Sequence, residues 1–179
     1  MLYAVEIPND GGGSTWWTNM RVGYDELPDD LKAESADKRA VLSYLKRLAG
    51  YDEQAAKVTE DMLRKTPPVA QPMVHTHPVT GKRSLFLDPT TTIGVEGMSD
   101  AGGIALVDRL RDACTRPDQV YKHRWQVGDV VLWDNAFTMH RRDEYESAQR
   151  RFLKRTTIRL PEAMHIIPRG QQLQSAVPA

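Results

Sequence analysis

VGDVVLWDNAFTMHRRDEYESAQRRFLKRTTIRL, residues 127–160, is the stretch on which the fold turns. Its second half, RRFLKRTTIRL, reads as a strand. Period-2 alternation sets Arg151, Leu153, Arg155 and Thr157 on one face and Phe152, Lys154, Thr156 and Ile158 on the other. Neither face is purely apolar. If the arginine face is inside, its guanidiniums need an anionic partner, because an unpaired buried charge costs several kcal/mol or more. A bound carboxylate would satisfy them; an edge strand with solvated arginines is the alternative.

Just upstream, a Gly128-Asp129 turn leads into an apolar strand, Val130 to Trp133, and Asp134 and Asn135 favour a turn at its end. His140 follows a short loop. Alone, such a histidine reads as structural. With two arginines on the next strand, it fits a site for a metal and an acid that chelates the metal at one end and meets arginine at the other.

Trp133-Asp134-Asn135, His140, and then Arg151 and Arg155 eleven and fifteen residues after that histidine resemble the C-terminal signature of the taurine dioxygenase (TauD/TfdA-type) family of Fe(II)/2-oxoglutarate-dependent dioxygenases. GGGSTWWTNM, from Gly11 to Met20, resembles the family's GG-[DS]-T-x-[WF] segment. VHTHPVTGKRSLFL, from Val74 to Leu87, resembles its HP-x-TG-[RK]-x-x-L-[FY] strand pair. The three motifs keep order and spacing along nearly the whole chain.

The resemblance implies roles residue by residue. His140 corresponds to the distal histidine of a two-histidine, one-carboxylate iron site. Arg155 corresponds to the arginine that grips the far carboxylate of 2-oxoglutarate, Arg151 assists it, and Thr15 hydrogen-bonds the same cosubstrate. A hydroxyl and a forked guanidinium together satisfy a carboxylate better than either alone. Asp134 and Asn135 shape a turn. The implied reaction consumes Fe(II)-bound 2-oxoglutarate and dioxygen, hydroxylates a small organic acid of sulfonate, sulfate or ether type, and releases succinate and carbon dioxide.

One departure stands out. The family's other two ligands come from an H-x-[DE] pair N-terminal to the Gly11 segment, and no H-x-D or H-x-E occurs in these 179 residues. Residues 1–167 are therefore expected to be the C-terminal part of a taurine-dioxygenase-like domain, N-terminally truncated, with 168–179 a loose tail. A non-catalytic β-barrel remnant, acting in binding or self-association, is the alternative function.

His75 and His77 share one side of a strand, a spacing that suits metal binding and a zinc hydrolase. The family pattern gives them no ligand duty. His123, in a Lys-His-Arg run, and His165 read as surface or packing residues.

Composition excludes several classes. Lys plus Arg and Asp plus Glu are 24 each, so no net field draws the chain to nucleic acid or an anionic membrane. The runs Arg141-Arg142 and Arg150-Arg151 read as solvated loop. Cys114 is the single cysteine, which precludes an internal disulfide and fits a reducing compartment, the cytoplasm. No apolar run reaches membrane-spanning length.

The expected fold is α+β, mainly β: a double-stranded β-helix (jelly roll) with helical insertions. Leu2, Ala4 and Glu6 alternate with Tyr3, Val5 and Ile7 in a first strand. Two or three helices are expected between Asp29 and Leu63, bounded by Pro28 and Pro67-Pro68. Another is expected from Ser99 to Cys114, with Ile104, Leu106, Val107, Leu110 and Ala113 as its buried stripe.

Overall fold

A computed structural model describes residues 1–49, 59–146, 148–161 and 164. His165 and the tail 168–179 lie outside the described residues, as does part of the stretch expected to be helical before Leu63. In chain order the strands and helices are β1 (Leu2–Glu6), β2 (Thr15–Asn19), α1 (Met20–Asp25), α2 (Asp29–Ser35), β3 (Arg39–Leu42), α3 (Tyr44–Ala49), α4 (Glu60–Lys65), β4 (Val69–Pro72), β5 (Val74–Thr76), β6 (Arg83–Leu85), β7 (Thr92–Val95), α5 (Asp100–Cys114), β8 (Val120–His123), β9 (Val130–Val131), β10 (Thr138–Arg142) and β11 (Phe152–Arg155). All strand pairs are antiparallel. They form sheets ordered β11-β1-β9, β10-β2-β8 and β4-β3-β7, with a β5-β6 hairpin.

Two apolar clusters hold these layers. Met20, Tyr24, Leu27, Leu31, Ala40, Met73, Leu85, Val95, Leu106, Val107, Leu110 and Cys114 form the larger one, which joins α1, α2 and α5 to the β4-β3-β7 sheet and the hairpin. The smaller comprises Ala4, Trp17 and Trp125, with Leu2, Ile7, Val131, Trp133 and Leu153 against it, and it joins the β11-β1-β9 and β10-β2-β8 sheets.

Helix α5 forms where expected. Ser99 caps it by accepting from the Gly102 N–H, and Leu106, Val107, Leu110 and Cys114 are buried at helical spacing. Thr18 Oγ1 donates to the Cys114 carbonyl at 2.6 Å, tying the helix end to β2. Burial pushes the Cys114 thiol up to about 11, so it stays protonated and unreactive at neutral pH.

Gly103 is where α5 crosses β7. A Cβ there would stand 2.7 Å from the Val95 backbone nitrogen, and backbone cannot swing aside. Gly103→Ala is expected to destabilise the fold by about 1–3 kcal/mol of overpacking, despite the roughly 1 kcal/mol that alanine gains over glycine in helix propensity. A lowered thermal midpoint checks it; an unchanged or raised midpoint would show that the helix can retreat freely.

Two expectations are corrected. Helices α2, α3 and α4 form in or from the stretch between Asp29 and Leu63 as expected, but Ala40 and Leu42 are not helical: Arg39–Leu42 is strand β3, at the centre of its sheet, with Ala40 opposite Gln71 on one side and Val95 on the other. Pairing on both edges outweighs a helix-favouring composition. In β1, a register shift between Ala4 and Glu6 breaks the alternation, so Ile7 joins Leu2 and Ala4 in the smaller cluster instead of facing away.

Candidate functional site

Strand β2, TWWTN, sits between β10 and β8. Thr15 stands opposite Arg142 and His123, and Trp17 opposite His140 and Tyr121. Directly opposed residues of an antiparallel pair share a face. One face of this sheet therefore carries Thr15, Trp17, His140, Arg142, Tyr121 and His123. On the other, Trp16 lies between the cations of Lys122 and Arg141, 4.6 and 4.7 Å from its ring centre, and Asp143 bridges the two cations.

His140 is set in an aromatic frame. Trp17 lies nearly parallel to it at 6.4 Å and Trp133 meets it edge-on at 5.3 Å. The ring keeps access to solvent, yet the surrounding protein still desolvates it. That burial, and then the charge of Arg47, hold its pKa below the ordinary value, with Asp88 opposing. The imidazole is thus neutral near pH 7, the form that ligates metal.

Thr15 is buried, and its Oγ1 accepts the indole N–H of Trp125 at 2.9 Å. Two residues before it, Gly13 adopts φ +69°, and its carbonyl accepts Arg151 Nε–H at 2.9 Å. A Cβ on Gly13 would fall 2.6 Å from Arg151 Cδ, so the arginine stem lies flat on the glycine backbone. Arg151 is half-buried. Burial, and then the nearby charge of Arg142, lower its pKa, Tyr145 opposes them, and no described carboxylate pairs with it. A guanidinium in that position fits an incoming anion.

Arg155 is placed differently. It ends β11 opposite Leu2 and is exposed. Four residues of extended strand separate it from Arg151 by about 13 Å. The structure thus brings Thr15, Arg151 and the His140 strand together, and among the described residues Arg155 makes no hydrogen bond or ion pair with the Gly13–Thr15 segment.

Iron is a different matter. Among the described residues no three His, Cys, Asp or Glu side chains converge as a metal site. His140 alone does not make one. His75 is buried and stacked on Phe86 at 4.7 Å, whereas His77 Nδ1 accepts the Val79 and Thr80 N–H groups at 3.1 and 3.2 Å. The two rings thereby sit in separate environments, one stacked and the other hydrogen-bonded to its own turn. Asp134 Oδ1 accepts the Ala136 N–H and Asn135 Oδ1 accepts the Trp133 indole N–H, so both residues shape the turn. A cavity of about 150 Å³ beside His77, Asp134 and Phe137 includes none of Thr15, His140 or Arg151.

Sequence reasoning missed Arg142 and Trp125. Arg142, expected in a solvated loop, lies on β10, two residues from His140 and thus on its face. Extending the same alternation through Tyr121, His123 and Trp125 would have found the second. His123 packs edge-on against Trp125 at 4.6 Å and meets Asp129 Oδ2 at 2.9 Å, which fits its packing role.

Residues 1–157 match the model of the taurine catabolism dioxygenase TauD, TfdA family. The chain belongs to that family. It is 36% identical over 173 residues to the alpha-ketoglutarate-dependent 2,4-dichlorophenoxyacetate dioxygenase of Burkholderia sp. (strain RASC), a match covering 96% of this chain and 56% of that one. An alkylsulfatase of Acinetobacter baylyi is 32% identical over 163 residues, covering 88% and 51%. Among solved structures, AAD-2 in complex with Mn(II) and N-oxalylglycine superposes with a TM-score of 0.77 at 33% identity, covering 86% of this chain and 60% of that one. This TauD/TfdA-family chain spans about half the length of the curated relatives it matches.

Proposed function

We propose that this chain forms the cosubstrate-binding face and supplies one iron ligand of an Fe(II)- and 2-oxoglutarate-dependent dioxygenase. That enzyme hydroxylates a small organic acid and releases succinate and carbon dioxide. The observation that carries the reading is Arg151: a half-buried guanidinium, without a described carboxylate partner, laid against Gly13 two residues from the buried Thr15 hydroxyl. N-oxalylglycine, bound in AAD-2, keeps the 2-oxoglutarate skeleton with an N–H in place of one methylene, and so presents the same distal carboxylate. We assign that carboxylate to Thr15 and Arg151. Arg155, which the family signature puts first, stands too far along β11 to share it.

His140 is the chain's contribution to the metal, held neutral between Trp17 and Trp133. Bound iron would supply the dioxygen chemistry, and the other protein ligands are not among the described residues. The chain's own work is to hold the distal carboxylate and to wall the site with the Trp17, Trp125 and Trp133 cluster, excluding water. The two sheets that meet at this cluster are read as the halves of a jelly roll. For substrate we favour small anions with a C–H next to oxygen or sulfur, since relatives are named for 2,4-dichlorophenoxyacetate and for alkyl sulfates. A cytoplasmic site of action fits the lone buried cysteine.

Anaerobic titration with Fe(II) and 2-oxoglutarate tests this. A raised melting temperature with 2-oxoglutarate is expected, since ligand at one hundred times its dissociation constant adds about 2.7 kcal/mol; with Fe(II) present, a weak visible charge-transfer band reports the iron that His140 helps to hold. His140→Ala is expected to abolish the band while keeping the part of the stabilisation that 2-oxoglutarate produces alone. If the parent chain shows neither signal, the non-catalytic reading replaces this one. That reading draws on the exposed outer residues Tyr3, Val130 and Phe152 of the β11-β1-β9 sheet, which suit self-association.

A further inference from the structure

We propose that Trp125 is a positioning residue for the cosubstrate: its indole N–H occupies one lone pair of the Thr15 hydroxyl and so turns that hydroxyl's proton toward the carboxylate beside Arg151. The inference rests on the site proposed above and adds a residue to it.

The argument begins with donor and acceptor capacity. An indole N–H can only donate, whereas a threonine hydroxyl has one proton and two lone pairs. In the 2.9 Å contact between Trp125 Nε1 and Thr15 Oγ1 the direction is therefore fixed: tryptophan donates and threonine accepts. The hydroxyl proton must point elsewhere, and among the described residues it meets no acceptor. Both residues are buried, at 7% and 3% exposure, so water does not readily reorient the hydroxyl. Releasing the indole would leave a buried donor unpaired, which keeps the contact closed.

Trp125 is itself held. His123 meets its ring edge-on at 4.6 Å. Asp129 Oδ2 lies 2.9 Å from His123 Nε2 and accepts the Gln126 N–H at 2.8 Å, while Tyr121 Oη lies 3.3 Å from His123 Nδ1. Asp129, His123, Trp125 and Thr15 form one supported row leading to the site. A hydroxyl oriented in advance costs less to order when the anion arrives.

The test is a double-mutant cycle in the full chain, reading 2-oxoglutarate affinity by calorimetry with and without anaerobic Fe(II). Thr15→Val is expected to weaken binding about tenfold or more, as for a hydrogen bond to a charged group. Trp125→Phe, which keeps an aromatic ring but removes the donor, is expected to weaken it about threefold to tenfold. The double variant should bind no worse than Thr15→Val alone, because Trp125 acts only through Thr15.

Additive losses would mean that Trp125 acts by packing, which overturns the proposal. An unchanged constant in Trp125→Phe alongside a weakened Thr15→Val overturns it too, while sparing the site. If Thr15→Val binds like the parent, or the parent does not bind, the site reading itself fails. Should Trp125→Phe lack a cooperative melt, the Trp125 indole ¹H–¹⁵N resonance of the intact chain decides. It is expected to move on adding 2-oxoglutarate and to stay still in Thr15→Val; immobility in the parent while the Gly13 amide shifts overturns the proposal.

Discussion

Arg151→Ala is expected to weaken 2-oxoglutarate binding by about 2–4 kcal/mol, roughly thirtyfold to a thousandfold. The loss is large because a carboxylate drawn into this half-buried position would give up water without the guanidinium laid against Gly13 to offset it. The side chain also lies flat on Gly13, so alanine removes packing together with charge. Calorimetry with 2-oxoglutarate reads the effect directly, and a melt without ligand separates it from loss of fold. Arg155→Ala is the informative comparison. At the exposed end of β11 its effect on this constant should be small, as for a solvated charge worth about 0–1 kcal/mol. The reverse pattern would return the distal carboxylate to Arg155, the order that the family signature suggests.

Acidification is expected to remove roughly 3 kcal/mol of folding stability between about pH 6.5 and pH 4, through His75 alone. Burial pushes its pKa from 6.5 to about 4; the Pro72 carbonyl opposes the shift from nearby, without hydrogen-bonding geometry to the ring. In that window the unfolded chain binds a proton that the native state refuses. Stability is therefore complete above 6.5, falls as the pH drops, and stops changing below about 4. His75 is 4% exposed and stacked on Phe86, with no hydrogen-bond partner for either ring nitrogen among the described residues, so protonation would bury an uncompensated charge. Denaturant melts of parent and His75→Leu across this range check it. Carboxylates contribute equally to both proteins, so the difference between the two curves isolates the histidine. Parallel curves would mean that His75 finds solvent or a partner in the native state.

Both expectations concern residues whose types and spacing are legible in the sequence, although their circumstances are not. The three family motifs placed Thr15, His140, Arg151 and Arg155 in order along the chain. Local rules also carried α5, whose Ser99 cap, apolar stripe and following Arg116-Pro117 lie within one short stretch. Prolines at 28, 67 and 68 bounded elements correctly for the same reason. Each of these features acts over a few residues of its own chain, so nothing distant was needed to read it.

Other features depended on partners far along the chain. Arg39–Leu42 has a composition that suits a helix, and it becomes a strand because β4 and β7, some thirty and fifty residues later, pair with both its edges. The shift in β1 that turns Ile7 inward is set by its register on β11. Alternation put Arg151 and Arg155 on one face without saying which would meet the Gly13 carbonyl. The contact between Trp125 and Thr15 spans 110 residues and joins two segments that share no local signal. The inventory of chemical groups and the periodicity of the elements that carry them are written in neighbouring residues, and so are legible along the chain. Tertiary structure alone decided which of those groups are buried, which share a row of the sheet and which arginine stands beside the threonine, because those are consequences of strand register and packing between remote segments.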